Sequence, residues 1–354
     1  MGMALTRRFL LSIVIIVSGL LLFIPGLHAR TFSDIVAFGD SLSDHGGLSG
    51  YLGVYNPVTN PGGAPEVWSN GDVWVEYMAD EWDASLDNNA IGGAMTKGHS
   101  NPQIQALSDT NPLVPQLGFV DQVETYLATS PDYDDDDTLF TVWIGGNDVL
   151  QFIANTPTGN ANLMITTSMA NIADGLEALE EDGARNFLVM NLPDIGKAPL
   201  FVNDPTTSAF ATQLAAQFNS ALKTTAKNFQ DSQSNVTVYY FDVFSYMNRI
   251  ISSDTFANTS GTYLTLDQNS NPTGGVNGPA EDYIFWDTIH PMTRTHELLG
   301  NEAADFVDDE GDDDDSITCF ISAASGNTSF PLVTFAGFLV FGLGAAISNI
   351  RKRS

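Results

Sequence analysis

The sequence predicts a three-layer α/β/α sandwich built on a mainly parallel central sheet. Three observations carry that expectation. Short runs rich in β-branched and aromatic residues alternate along the chain with longer stretches of helical periodicity. The runs have the mostly apolar and β-branched character of strands buried on both faces, and parallel strands need helices to cover them. Each run also ends at glycine, asparagine or aspartate, and in such sheets ligands bind at the carboxyl ends of the strands.

The elements follow in order. Residues 35–38 form a first strand that stops at Gly39, and residues 72–82 and 116–127 have helical periodicity. Residues 138–144 form the second strand, ending at Gly145-Gly146, and residues 163–181 the next helix. A third strand, 186–190, runs into Asn191-Leu192-Pro193. Helix 209–229 then precedes the fourth strand, 236–241, which ends at Asp242. Residues 256–279, rich in Asn, Thr and Gly, read as a loop beside the cleft with the character of a lid. Helix 293–307 closes the body.

Charge divides the chain into a body and two ends. All 43 acidic residues lie between Asp34 and Asp315, in a chain of 354 residues with 13 Lys and Arg and a net charge of −30. A surface so acidic repels phosphate backbones, which excludes a nucleic-acid partner. The lone Cys319 cannot form an internal disulfide, and no Cys/His cluster offers a zinc site. Arg7-Arg8 followed by an uncharged stretch over 9–24 and small Ala29 reads as an export signal, residues 1–29. Residues 308–329 read as an acidic linker with a Cys-containing motif. Residues 330–354 read as an apolar membrane or sorting segment closed by Arg351-Lys352-Arg353. The order of motif, apolar helix and basic cluster is similar to a bacterial C-terminal sorting signal, which implies a sorting protease as partner. The expected place is therefore outside the cytoplasm: cell surface, membrane-anchored or secreted. Residues 30–307 are the expected functional domain.

Three strand ends carry chemistry. Gly39-Asp40-Ser41-Leu42 puts a serine in a tight turn after a strand, as a nucleophile or as a helix cap. Gly145-Gly146-Asn147-Asp148 offers a close backbone approach and an amide donor, or an ordinary Gly-Asn turn. Asp287-Thr288-Ile289-His290 spaces a carboxylate and an imidazole so that one can fix the tautomer of the other, or holds a satisfied structural histidine. His45, His99 and His296 have no carboxylate at that spacing and receive no role. The run from Asp132 to Asp137 reads as a solvated insertion, lacking the glycine spacing of a calcium loop.

Together and in this order, these motifs resemble the GDSL lipase/esterase family, the SGNH hydrolases. Its remaining block, which supplies a backbone donor glycine, is similar to Asn88-Asn89-Ala90-Ile91-Gly92-Gly93-Ala94. Ser69-Asn70-Gly71 and Asn191-Leu192-Pro193-Asp194-Ile195-Gly196 fit the connecting segments. The extended Phe38-Gly39-Asp40-Ser41-Leu42-Ser43-Asp44 form resembles the phospholipase, lysophospholipase and acyltransferase branch. The resemblance implies a flavodoxin-like fold and a carboxylic ester hydrolase that needs no metal or organic cofactor. It implies Ser41, Asp287 and His290 as catalytic residues, with an oxyanion hole of Ser41, Gly93 and Asn147. Gly92 is hard to separate from Gly93. The implied substrate is a small-molecule or lipid ester, with acyl transfer or polysaccharide deacetylation as alternatives on the same scaffold. A surface-binding protein without activity would have no need of Ser41, Asn147 and His290 together.

Overall fold

A computed structural model describes residues 31–47, 68–110, 117–129, 131–155 and 159–310. Five parallel strands form the central sheet: β1 Asp34–Gly39, β2 Ser85–Asn88, β3 Thr138–Trp143, β4 Asn186–Met190 and β5 Thr237–Phe241. Their spatial order is β2-β1-β3-β4-β5, the flavodoxin-like order, in which the winding direction reverses between β1 and β3. That reversal opens a crevice at the carboxyl ends of β1 and β3. Both Ser41 and Asn147 lie just beyond those ends.

The two faces of the sheet bury alternate residues of the same strands, as a period of two demands. Val36, Phe38, Phe140, Val142, Phe187 and Val189 face one layer. That layer contains α3 Phe119–Ala128, α5 Ala161–Asp182 and α7 Pro205–Ser232. Ile35, Ala37, Leu139, Leu188 and Tyr239 face the other, which contains α1 Trp74–Trp82, α8 Val243–Ser252 and α9 Thr293–Glu310. Helix ends are fixed by side chains: Asp204 accepts from the Thr206 and Thr207 N–H groups at the start of α7, and Asp242 from Ser245 N–H at that of α8. Among the described residues no helix is long and apolar enough to cross a membrane.

Four strands of the central sheet, β1, β3, β4 and β5, and five helices fall where the sequence places them, within a few residues. The differences are informative. Ser85–Asn88 pairs beside β1 as an edge strand with a half-exposed, polar pattern, so no apolar run marks it. Gly146–Asn155 is helix α4 and not merely a turn after β3, and α2 Pro102–Thr110 follows the glycine block of residues 88–94. The segment expected as a loop or lid is structured. It contains β6 Asn258–Thr262, paired in parallel with β9 Tyr283–Phe285, and a hairpin of β7 Leu264–Leu266 and β8 Pro272–Val276. These strands have no alternating pattern to read. Their packing comes from elsewhere: Tyr263 stacks on Trp286 at 5.6 Å, and Leu264, Tyr283, Trp286 and Met292 make a small cluster of their own. The segment thus buttresses the turn that carries Asp287 and His290. Helix α9 also runs to Glu310, three residues into the stretch read as linker. The export signal, the rest of the linker and the C-terminal segment lie outside the described residues.

Candidate active site

The serine turn follows from the meeting of β1 and β3. At Gly39 a Cβ would come 2.6 Å from the Trp143 carbonyl oxygen, so only glycine lets the strands converge here. Gln122 of α3 replaces the missing sheet partner: its Oε1 accepts from Gly39 N–H at 3.0 Å, and its Nε2 donates to Gly39 O at 2.9 Å. The chain then turns at once, with the Ser43 and Asp44 N–H groups donating to Asp40 O at 3.0 Å. Ser41 sits in that turn, 8% exposed.

The structure brings Ser41, His290 and Asp287 into one hydrogen-bonded line. Ser41 Oγ lies 2.8 Å from His290 Nε2, and His290 Nδ1 lies 2.7 Å from Asp287 Oδ2. With Nδ1–H donating to the carboxylate, Nε2 is left to accept from the serine hydroxyl. Asp287 Oδ1 accepts from the Ile289 and His290 N–H groups, both at 2.8 Å, so the side chain shapes the turn that carries its partner. Burial works to raise the Asp287 pKa. The His290 charge and these hydrogen bonds more than offset it, leaving the carboxyl below its ordinary value. Trp68 lies over the His290 ring at 5.1 Å.

Asn147 opens α4 beside the serine. Its Nδ2 donates one hydrogen to Ala94 O at 2.9 Å, which leaves the other for the pocket that Asn147, Ser41 and His290 share. Gly93 does not line that pocket; it joins the site through Ala94. The structure separates it from Gly92. Gly92 N–H donates to Asp44 Oδ2 at 2.6 Å, whereas the N–H groups of Gly93 and Ser41 have no partner among the described residues. Gly93 also has φ +83°, a conformation that favours glycine.

Buried groups outside the three motifs hold this arrangement. Asp44 Oδ1 accepts from Gly46 and Gly47 N–H while Oδ2 holds Gly92, tying the serine block to the glycine block. Asp148 accepts from the Thr96 N–H and hydroxyl and from the Ser168 hydroxyl. Burial raises its pKa, and those hydrogen bonds oppose the rise. Asp40 is pushed up to about 7, chiefly by burial, against a bond from Leu42 N–H. Ser69-Asn70-Gly71 pins the start of α9: Ser69 Oγ donates to Pro291 O at 3.0 Å, and Thr293 N–H to Asn70 Oδ1 at 2.9 Å.

Beside Ser41 lies a mainly apolar pocket whose lining includes Leu192, Ile195 and Phe285, Met247 and Ile251 of α8, and Leu299 of α9. His296 is one of the few polar residues in its wall. Burial lowers its pKa to about 3, so the ring is neutral, with Nδ1 accepting from Trp74 N–H. Among the described residues, no group of three His, Cys, Asp or Glu could hold a metal.

Sequence reasoning missed Gln122, Asp44, Trp68 and Asp148. Only Asp44 and Asp148 stood inside a quoted motif, and their partners are 48 and 52 residues away. No local spacing could have announced them.

Fold and site geometry place this chain among the carboxylic ester hydrolases. Residues 35–303 match the family described as GDSL-like Lipase/Acylhydrolase, and the chain belongs to that family. It is 29% identical over 291 residues to the thermolabile hemolysin of Vibrio parahaemolyticus, covering 76% of this chain and 62% of that protein. It is 27% identical over 286 residues to an acetylesterase of Thermothelomyces thermophilus, covering 77% of this chain and 87% of that one. With the phosphatidylcholine-sterol acyltransferase of Aeromonas hydrophila it shares 26% identity over 323 residues, 79% of this chain and 91% of the relative.

Proposed function

We propose that the protein cleaves esters of long apolar acyl chains, such as lysophospholipids, through an acyl-enzyme on Ser41. His290 takes the serine proton as Oγ attacks the carbonyl, then returns it to the departing alcohol. Asp287 keeps the imidazole in the required tautomer and stabilises its cation. The oxyanion is held by the Ser41 and Gly93 N–H groups and by the free hydrogen of the Asn147 amide. Water, activated by His290, then releases the acid.

The observation that carries the substrate class is the pocket. Its walls beyond Ser41 are mainly aliphatic and aromatic, including Leu192, Met247, Ile251 and Leu299, with Asp194, Thr295 and His296 among the polar exceptions. Burial of each acyl methylene there contributes about 0.8 kcal/mol. An acetyl group would leave most of that surface unused, so the pocket favours a lipid ester over a deacetylation substrate. An acyltransferase would form the same acyl-enzyme and differ only in the acceptor. Export, with retention at the cell surface by residues 330–354, is a further part of the proposal, supported by the charge and hydropathy of the two ends.

The test compares wild type with Ser41→Ala on p-nitrophenyl esters from acetate to dodecanoate and on a labelled lysophosphatidylcholine. The expected result is kcat/KM rising with chain length, lysophospholipid cleavage, and loss of at least about 10⁴-fold in Ser41→Ala. Acetate as the best substrate, with no lysophospholipid cleavage, would overturn the lipid reading. Full activity in Ser41→Ala would overturn the mechanism.

A further inference from the structure

We propose that His99 is a positioning residue of the oxyanion hole, acting through the Gly92–Gly93 peptide. The inference rests on the reading that Gly93 N–H receives the oxyanion. His99 is 6% exposed and lies beside Gly93, where a Cβ would come 2.5 Å from ring atom Cε1. Its Nδ1 accepts from Asn101 N–H at 2.9 Å, which assigns the ring proton to Nε2. Nε2 lies 2.8 Å from Gly92 O and therefore donates to it. Burial holds the imidazole below its ordinary pKa, so this neutral tautomer persists at neutral pH.

The consequence follows from peptide geometry. The Gly92–Gly93 bond is trans and planar, so the Gly92 carbonyl and the Gly93 N–H point in opposite directions from one rigid unit. Whatever fixes the carbonyl fixes the direction of the N–H. A donor on the carbonyl also polarises the amide and strengthens its N–H as a donor. A glycine pair cannot hold this direction unaided, because glycine explores more backbone conformations than any other residue. The neighbouring bonds restrain the flanks and not this peptide plane: Asp44 holds Gly92 N–H, and Ser100 N–H donates to Gly93 O at 2.9 Å. His99 grips the Gly92–Gly93 plane itself.

The test uses two polar replacements in the full chain. In His99→Gln the amide nitrogen stands near the position of Nε2 and still reaches Gly92 O. In His99→Asn the side chain can accept from Asn101 N–H but is too short for Gly92 O. The expected result is kcat about 10–100-fold below wild type for His99→Asn, with KM within about threefold. His99→Gln should recover at least about tenfold of that loss, and phosphonylation of Ser41 by a fluorophosphonate should slow in the same order. Thermal melting of both variants is measured beside the kinetics. Equal kcat for the two variants, whatever their melting temperatures, would overturn the proposal, because a packing role does not distinguish which amide contact survives. Wild-type kcat in His99→Asn would also overturn it. Asn147→Ala separates this failure from failure of the underlying reading. If that variant loses activity while His99→Asn does not, only the His99 inference falls; if neither loses activity, the oxyanion hole itself has been misassigned.

Discussion

The two sides of the catalytic cleft are held by different means. On the nucleophile side, Ser41 and Gly93 sit on loops that follow β1 and β2, and Asn147 on the first turn of α4 after β3. Buried side chains hold them, three over long sequence separations, Gln122 on Gly39, Asp44 on Gly92 and Asp148 on Thr96, and one, His99 on Gly92, from seven residues away. On the base side, Asp287 and His290 share one turn. Asp287 caps that turn from within, and backbone bonds close it, Trp286 N–H to His290 O and Met292 N–H to Ile284 O, both at 2.8 Å. The difference follows from chemistry. A base and its orienting carboxylate need only each other, so four consecutive residues suffice. An oxyanion hole needs donors converging on a point that no single turn can surround, and it depends on remote groups.

This contrast predicts how each side breaks. Asn147→Ala removes a donor needed only in the transition state, so kcat should fall about 10²–10³-fold with KM little changed. Ser69→Ala removes a comparable single hydrogen bond on the base side, from Ser69 Oγ to Pro291 O, and should change kcat less than about threefold, because the backbone bonds remain. Steady-state kinetics on one ester, run on both variants, checks the pair. Similar losses in the two would remove the distinction between the sides.

The pocket sharpens the comparison, since it lies where the two sides meet. Ile251→Trp fills part of it from the last turn of α8. The expected outcome is about tenfold lower kcat/KM for dodecanoate than for wild type, with the butyrate ester unaffected. A uniform loss across the ester series would mean that the acyl chain lies elsewhere.

The smallest effect concerns stability. Asp40 holds its proton more tightly folded than unfolded, about 7 against an ordinary 3.8. Its contribution is therefore most favourable below the unfolded value and is lost as pH rises through about 7. Asp40→Asn keeps the acceptor for Leu42 N–H and has no charge to bury. It should melt several degrees above wild type at pH 8 and close to wild type at pH 4. Equal melting-temperature differences at both pH values would contradict the assignment.

What the sequence reveals follows the same line between local and remote. β3 and β4 are legible because both faces are buried and the runs are dominated by apolar and β-branched residues, as Thr138–Trp143 shows. β2 is not, since an edge strand reading Ser-Leu-Asp-Asn buries little. β6 to β8 are hidden because Asn, Thr and Gly pack there through Tyr263, Trp286 and Tyr283, which lie at scattered positions. Of the residues in the proposed mechanism, Ser41, Asn147, Asp287 and His290 each stand in a short pattern with a chemical reason. His99 has no such pattern. Its partner is a carbonyl oxygen, and every residue has one.

Covalent labelling of the wild-type chain with a fluorophosphonate, followed by peptide mass spectrometry, tests the central claim most directly. The account predicts one adduct on Ser41, absent from Ser41→Ala and formed far more slowly in His290→Ala. An adduct on another residue, or an ester-cleaving wild type that takes up no label at Ser41, would contradict it.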